Sequence, residues 1–377
     1  MTTNDKKWKK IKFDIKNEKM YNFNKEMKGD IMYDKNPFTL MYGIPSLSVI
    51  SRDEEINKII KSFTYNENDF MYLITGIRGT GKTVLLRKVY EMISNNNDWI
   101  TIDINPQGKI ISSIANRLFD KTSKLFKGWK ISINLPYLTL TKENEQITDP
   151  ELIAEKIIEQ LSKNNQKILL TIDEVNKTKD FMEFVNFYQS MLGKGFKIYL
   201  LMTGLKENVE AIINDRAATF LSRAPKIELE PLSLPNIALE YKEIFEIDND
   251  LSIEMAKLTN GYAFAYQVLG YIFYEKKYNT INESLIKEYD SYLWKNGYNK
   301  FWNELTKKEK DFVISMSLTK YNSKEEILNQ NLISESNYSQ YRKRLLEKGI
   351  ITVSGFNNLS FVLPRFKEFI TYVKEFE

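Results

Sequence analysis

The chain has 377 residues, of which 42% are hydrophobic and 13% aromatic, so it is long enough for two or three domains with buried cores. Its formal net charge of +4 is small for this length and does not by itself indicate nucleic-acid binding. Cysteine and histidine are both absent, which excludes disulfides, thiol nucleophiles, zinc sites and histidine acid–base catalysis.

Hydrophobic patterning divides the chain into four predicted parts. Residues 1–35 are charged and are expected to form a tail or a short helix. Buried strands alternate with amphipathic helices over residues 36–232, which predicts an α/β fold with a parallel sheet. Residues 233–300 read as a helical lid subdomain. Residues 301–377 contain three helices and then a hairpin, which is the winged-helix order.

Two further expectations concern the surroundings of the chain and one local segment. No apolar stretch of 18 residues and no signal-peptide pattern is found, so we expect a cytoplasmic protein without a membrane partner. The segment 131–140 alternates like a strand but contains Pro136, which favours a hairpin at the edge of the sheet.

A glycine-rich loop follows the first buried strand and precedes a helix. Its spacing, G-x-x-x-x-G-K-T, lets several backbone N–H groups point at one anion. Lys82 would supply a charge for the β- and γ-phosphates, and Thr83 would supply a hydroxyl ligand for Mg²⁺. The predicted nucleotide-binding residues of this loop are Gly76, Arg78, Gly79, Thr80, Gly81, Lys82, Thr83 and Val84.

A pair of acidic residues ends the continuous apolar run 167–172, which is typical of a strand covered on both faces. Asp173 is predicted to hold Mg²⁺ through its water shell. Glu174 is predicted to orient or deprotonate the attacking water, because no histidine is available as a base. The alternative is that the pair caps the helix that follows.

Two other polar positions follow from the same reasoning. Thr203 ends the next buried strand, at the edge of the sheet where ligands bind, and is predicted to sense the γ-phosphate. It could equally satisfy a backbone group at the strand end. Arg216 and Arg223 follow, and Arg223 is the preferred arginine finger, acting in cis or from a neighbouring subunit. The alternative is a surface arginine.

The third helix of the C-terminal part carries a basic, amide-bearing set of residues. Phosphate and base-edge contacts in a major groove require this chemistry, so the helix is a candidate for binding double-stranded DNA. Glu335 and Glu347 dilute the positive charge, and a protein-docking role for this part stays open. The candidate DNA-binding residues are Gln340, Arg342, Lys343 and Arg344.

These motifs together resemble an AAA+ ATPase of the replication-initiator-like and archaeal-type clade, which is related to the STAND group. The resemblance rests on the P-loop, on Asp173 and Glu174, and on four further segments, residues 36–39, 50–56, 203–204 and 220–225. It implies an ASCE-type sheet with the strand order 5-1-4-3-2 and an adenine pocket lined by Val49 and Ile50. In initiators an arginine of the lid senses the nucleotide, but the matching segment here, residues 261–266, has no arginine. This difference makes the chain more similar to the archaeal-type and STAND-like members, which often act as slow switches.

The sequence therefore predicts a slow, Mg²⁺-dependent ATPase that acts as a switch on DNA, as initiators or mobile-element ATPases do. The alternative is a STAND-like regulatory or defence ATPase whose winged helix contacts protein. A third hypothesis is a nucleotide binder without turnover. The expected ligands are ATP, ADP and Mg²⁺. The expected macromolecular partners are double-stranded DNA, a second copy of the chain or another protein.

Overall fold

A computed structural model describes residues 35–40, 47, 48, 50, 52–66, 69–123, 130–134, 137–142, 145–354 and 358–376. The predicted tail, residues 1–35, lies outside this range except for its last residue. None of the helices in these ranges is both long and apolar enough to span a lipid bilayer.

The centre of the N-terminal half is a five-stranded sheet in which every pairing is parallel. The strands are β1 (Met71–Thr75), β2 (Trp99–Ile104), β6 (Lys167–Ile172), β7 (Ile198–Gly204) and β8 (Lys226–Glu228). Their order in the sheet is β2-β6-β7-β1-β8, which is the predicted order 5-1-4-3-2 read from the other edge. The fold is that of a P-loop NTPase, as predicted.

Helices cover both faces of this sheet because successive strand residues point to opposite sides and both sides are apolar. On β7, for example, Leu200 belongs to one buried cluster and Leu201 to the other. The helices are α1 (Asp53–Lys61), α2 (Lys82–Ser94), α3 (Ile110–Thr122), α4 (Pro150–Lys163), α5 (Lys179–Gly193) and α6 (Lys206–Ile213), with a 3₁₀ segment at Arg216–Arg223.

The predicted edge hairpin is not part of the central sheet. Strands β3 (Lys130–Asn134) and β4 (Tyr137–Lys142) do form an antiparallel pair, but β4 also pairs with β5 (Glu145–Ile147) in a separate three-stranded sheet. The predicted hairpin is thus present, with β3 at an edge, but it belongs to this separate sheet. An alternating apolar pattern fixes which face of a strand is buried, but it does not identify the neighbouring strand.

From residue 234 onward, the described residues form helices and one hairpin, joined by short connections. Four helices follow the sheet: α7 (Leu234–Phe245), α8 (Asn249–Thr259), α9 (Ala263–Glu275) and α10 (Glu283–Leu293). The remaining elements are α11 (Asn299–Glu304), α12 (Lys307–Ser317), α13 (Lys324–Leu328), α14 (Glu335–Glu347), the antiparallel strands β9 (Ile351–Ser354) and β10 (Asn358–Phe361), and α15 (Phe366–Phe376). The order of α12, α13, α14 and the hairpin is the order that a winged helix requires.

One continuous hydrophobic cluster runs through the whole C-terminal half, although the sequence suggested a separate lid and winged helix. Arg365, which precedes α15, forms an ion pair with Asp290 of α10, and the Tyr298 hydroxyl donates to the Pro364 carbonyl at 2.6 Å. We call residues 234–354 and 358–376 the C-terminal body. Phe38 and Ile50 also pack into this cluster, although sequence analysis assigned them to the nucleotide-binding part.

Candidate nucleotide site

The glycine-rich loop is organised around the side chain of its own lysine. The Lys82 ammonium donates hydrogen bonds to the carbonyl oxygens of Gly76, at 2.8 Å, and Ile77, at 2.7 Å. Gly81 ends the loop at φ +92° and precedes the first residue of α2, so the N-terminus of this helix faces the loop. An ammonium has three donors, and a third remains for an anion at the helix N-terminus.

The burial of Lys82 favours the binding of an anion next to its ammonium group. Only 8% of the residue is exposed, and burial lowers the pKa of its ammonium to about 8, although Asp173 and Glu174 act in the opposite direction. The charged form is thus destabilised by the loss of water around it. A bound phosphate would restore much of this lost interaction.

The acidic residue Asp173 connects the loop helix with the neighbouring strand. Its carboxylate accepts a hydrogen bond from the Thr83 hydroxyl at 2.7 Å and another from the Thr203 hydroxyl. Thr203 is fully buried and lies at the end of β7, beside β6. The structure thus brings together three residues that the sequence placed in one site from three separate segments.

Glu174 has an unusual backbone conformation. Its φ is +56°, in the left-handed region that a residue other than glycine adopts at a cost. Its backbone N–H donates to the Thr203 hydroxyl at 3.1 Å, and its side chain is exposed at the carboxyl edge of the sheet. The strained residue therefore follows Asp173 directly and is tied to β7 by its own N–H.

The donor set fits Mg²⁺ and does not fit an all-protein metal cage. In the described residues, no three side chains of the types His, Cys, Asp and Glu lie close enough together to hold a metal ion by themselves. Mg²⁺ is usually bound by one or two carboxylates together with water and substrate phosphates. The oxygens of Thr83 and Asp173 are hard ligands of the right kind for such a site.

Arg52, which sequence analysis did not assign to the site, forms hydrogen bonds with the backbone of the loop and of a neighbouring segment. Its guanidinium donates to the carbonyl oxygen of Thr80 at 3.2 Å and to that of Glu230 at 2.7 Å. Glu230 lies in the chain that leads from β8 into the C-terminal body. Arg52 thus links the phosphate-binding loop to this connection.

The C-terminal body rests directly on the tip of the loop. The Phe264 N–H donates to the carbonyl of Gly79 at 3.1 Å. The ring of Tyr262, only 4% exposed, fills the space where Gly79 has no side chain, and burial raises the pKa of its hydroxyl. These residues occupy the position at which the family resemblance implied an arginine.

Two more loop residues contact the C-terminal body. Arg78 forms an ion pair with Glu304 at the end of α11, with a Nη1–Oε1 distance of 2.6 Å. Ile77 packs against Gly349, where an added Cβ would lie 1.6 Å from the Ile77 side chain. A cavity of about 290 Å³ lies beside these contacts and is lined by residues of the loop and of the C-terminal body. Glu304 and Gly349 carried no motif that could have identified them in the sequence, whereas Tyr262 lies in the segment 261–266 that the resemblance matched to the lid of initiators.

The other residues that sequence analysis assigned to the nucleotide site differ in their exposure. Arg223 ends the 3₁₀ segment and is exposed, as is Arg216. Val84 is 43% exposed. Ile50 is buried in the cluster of the C-terminal body. Val49 lies outside the described residues.

The candidate DNA-binding residues occupy two faces of α14. Gln340, Lys343 and Arg344 are exposed on one face, and Lys343 lies 3.7 Å from Glu347 in an ion pair. Arg344 lies over the ring of Tyr341. Arg342 is half-buried and lies about 160° around the helix from Gln340. The structure therefore brings three of the four together.

Two family models match parts of the chain. Residues 50–212 match the model of a family described as an ATPase domain predominantly from Archaea. Residues 295–370 match a second family model, described as a domain of unknown function.

Solved structures share the fold over most of the chain. A Walker-type ATPase of Pyrococcus abyssi is 17% identical, with a TM-score of 0.63, and the match covers 89% of this chain and 99% of that one. The ORC2 protein of Aeropyrum pernix, solved as ADPNP–ADP complexes, is 13% identical, with a TM-score of 0.58, and the match covers 92% of this chain and 99% of that one.

Proposed function

We propose that the chain binds ATP with Mg²⁺ at the glycine-rich loop and hydrolyses it slowly, as a nucleotide-dependent switch. The arrangement around Asp173 is the observation that supports this most strongly. Its carboxylate lies between the hydroxyls of Thr83 and Thr203, next to the helix that begins at Lys82. The likeness in fold to the Aeropyrum pernix protein, which was solved with ADPNP and ADP, agrees with an adenine nucleotide as the ligand.

Each residue has a separate task in this proposal. Lys82 and the loop N–H groups hold the phosphates, and Thr83 and Asp173 hold Mg²⁺, which neutralises the charge that develops on the transferred phosphoryl group. Glu174 orients the attacking water. The Thr203 hydroxyl fixes the Asp173 carboxylate and the Glu174 backbone in position through its two hydrogen bonds. Arg223, which is exposed at the end of the 3₁₀ segment, would act as the arginine finger, in cis or toward a neighbouring copy.

Single-turnover hydrolysis tests the assignment of Glu174. The Glu174→Gln variant should bind ATP as the wild type does and lose cleavage by a factor of about 10²–10⁴. Glu183→Gln, at an exposed position of α5, is the matched control and should cleave normally. Unchanged cleavage in Glu174→Gln would remove Glu174 from its role. Absence of cleavage in the wild type would favour a nucleotide binder without turnover.

The switch is proposed to act on double-stranded DNA through the exposed face of α14. Gln340, Lys343 and Arg344 carry the donors that phosphate and base-edge contacts need. The double variant Lys343→Ala/Arg344→Ala should weaken duplex binding and reduce its salt dependence. The matched control is Lys374→Ala, an exposed lysine of α15. Duplex binding that is absent, or that does not depend on salt, would reject the DNA role.

A second candidate is a regulatory switch whose C-terminal body is read by a protein partner. The contacts of Ile77, Arg78 and Gly79 with that body favour it, because they connect the loop directly to a distant surface. A partner that co-purifies with the wild type and is lost in Lys82→Ala would support this function.

A further inference from the structure

Three successive residues of the phosphate-binding loop are in contact with the C-terminal body. Ile77 packs against Gly349, and Gly79 lies against Tyr262 and Phe264. Arg78, which lies between Ile77 and Gly79 in the loop, makes an ionic contact: its guanidinium donates to the Glu304 carboxylate at 2.6 Å. These partners are 226 residues apart in the chain. The loop that is proposed to hold the phosphates therefore already holds one internal anion.

Arg78 lies close enough to Lys82 to influence its charge. The guanidinium of Arg78 acts to lower the pKa of Lys82, in the same direction as burial. An anion that Lys82 attracts is therefore also attracted by Arg78. The lysine of such a loop binds the β- and γ-phosphates. The phosphate nearest to Arg78 would therefore be the terminal phosphate of the nucleotide.

We propose that Glu304 competes with the terminal phosphate of ATP for Arg78, and so sets how strongly the site prefers ATP over ADP. This inference rests on the proposed function, because it concerns the same site. In the protein without nucleotide, Arg78 pairs with Glu304. When ATP binds, Arg78 turns to the phosphate, and the ionic contact with the C-terminal body is lost. ADP carries less charge at its outer end and displaces Glu304 less.

The surroundings of the ion pair allow such an exchange. The side chains of Arg78 and Glu304 are 30% and 46% exposed, so the pair is weak and is easily broken. A phosphate offers a guanidinium more charge and a bidentate geometry, and is the stronger partner. The nearby Lys348 uses the backbone carbonyl of Glu304 and the carboxylate of Glu309, so it does not depend on the Glu304 side chain.

The exchange also works in reverse because coupling between two sites is reciprocal. If Glu304 weakens ATP binding by some factor, bound ATP weakens the contact between Arg78 and Glu304 by the same factor. The ATP-bound protein would then keep the apolar contacts and the Phe264–Gly79 hydrogen bond between the loop and the C-terminal body, without the ionic contact. Glu304 is thus a specificity-determining residue that also transmits the nucleotide state.

Binding constants of the full chain for ATP and ADP, measured by calorimetry with Mg²⁺, test this inference. Glu304→Gln should bind ATP about two- to fivefold more tightly than the wild type, the range expected for removing an exposed ion pair. Its affinity for ADP should change less. Glu304→Ala should act in the same direction. The matched control is Glu335→Gln, which removes the exposed ion pair with Lys324 elsewhere in the C-terminal body.

A double-mutant cycle separates competition from a merely structural role. If Glu304 acts through Arg78, then Glu304→Gln should have no effect on ATP affinity in an Arg78→Gln background. An ATP affinity that is unchanged or weaker in Glu304→Gln would overturn the inference. So would an equal gain in the Arg78→Gln background. Failure of the wild type to bind ATP would remove the proposed function and this inference together, whereas normal ATP binding without an effect of Glu304 removes only the inference.

Discussion

Replacing Gly79 by alanine tests the contact between the phosphate-binding loop and the C-terminal body. Gly79 has φ +77°, in the left-handed region. A Cβ added there would lie 2.2 Å from the hydroxyl oxygen of Tyr262 and 2.6 and 2.8 Å from two of its ring carbons. Two separate penalties should therefore add in the Gly79→Ala variant.

The size of each penalty follows from the structure. A residue other than glycine in the left-handed region costs about 1–2 kcal/mol. Tyr262 is only 4% exposed, so its ring must shift within a packed core, which costs about 1–3 kcal/mol more. We expect the free energy of unfolding to fall by about 2–5 kcal/mol.

Urea denaturation followed by circular dichroism measures this loss, and two other glycines separate its parts. Gly108→Ala has nearly the same strain, at φ +84°, but open space around the new methyl group. Gly193→Ala in α5 has neither strain nor overlap and should be neutral or slightly stabilising. The difference between Gly79→Ala and Gly108→Ala gives the cost of overlap with Tyr262, about 1–3 kcal/mol.

The background of the mutation gives an independent check. In a Tyr262→Ala background the overlap is gone, so Gly79→Ala should cost only the backbone strain. The reasoning would be refuted if Gly79→Ala destabilised the wild type no more than Gly108→Ala does. It would also be refuted if the cost of Gly79→Ala were the same with and without the Tyr262 ring.

Two further predictions concern single polar groups. Thr203→Val removes a buried hydroxyl that serves both Asp173 and the Glu174 N–H, so it should cost about 1–3 kcal/mol of stability and lower kcat more than ATP affinity, while Thr203→Ser should restore both. Burial raises the pKa of Glu309, but hydrogen bonds from Lys348 and Thr306 outweigh it and hold the pKa below its ordinary value of 4.5. Its folded-state pKa is depressed, so the stability that Glu309 contributes is present above pH 4.5 and is lost as the pH falls below that value. Acid denaturation should accordingly be shallower in Glu309→Gln, and an unchanged acid profile would contradict the assignment.

Much of the ATPase fold could be predicted because its determinants are local. The continuous apolar runs that became β6 and β7 identify buried parallel strands, and the residues that follow such strands meet at one edge. For this reason the sequence alone places Asp173 and Thr203 in one site, and the structure joins them by a hydrogen bond. The family resemblance supplied the order of the strands.

The contacts of the C-terminal body could not be predicted in the same way. Arg78 and Glu304 are far apart in the chain, and nothing in the residues around Glu304 distinguishes it from other surface glutamates. The union of lid and C-terminal helices in one core depends on the angles at which helices cross, which a hydrophobic pattern does not fix. Phe38 packs against Tyr241 and Tyr266 of this core, about 200 residues away in the chain, which no local pattern indicates.

The central claim is that ATP with Mg²⁺ binds between Lys82 and Asp173, and calorimetric titration of ATP with and without Mg²⁺ tests it most directly. The wild type should bind ATP more tightly when Mg²⁺ is present. Asp173→Asn should retain the binding seen without Mg²⁺ and lose the gain that the ion provides, and Lys82→Ala should bind weakly under both conditions. No binding by the wild type at millimolar ATP, or a full effect of Mg²⁺ in Asp173→Asn, would contradict the account.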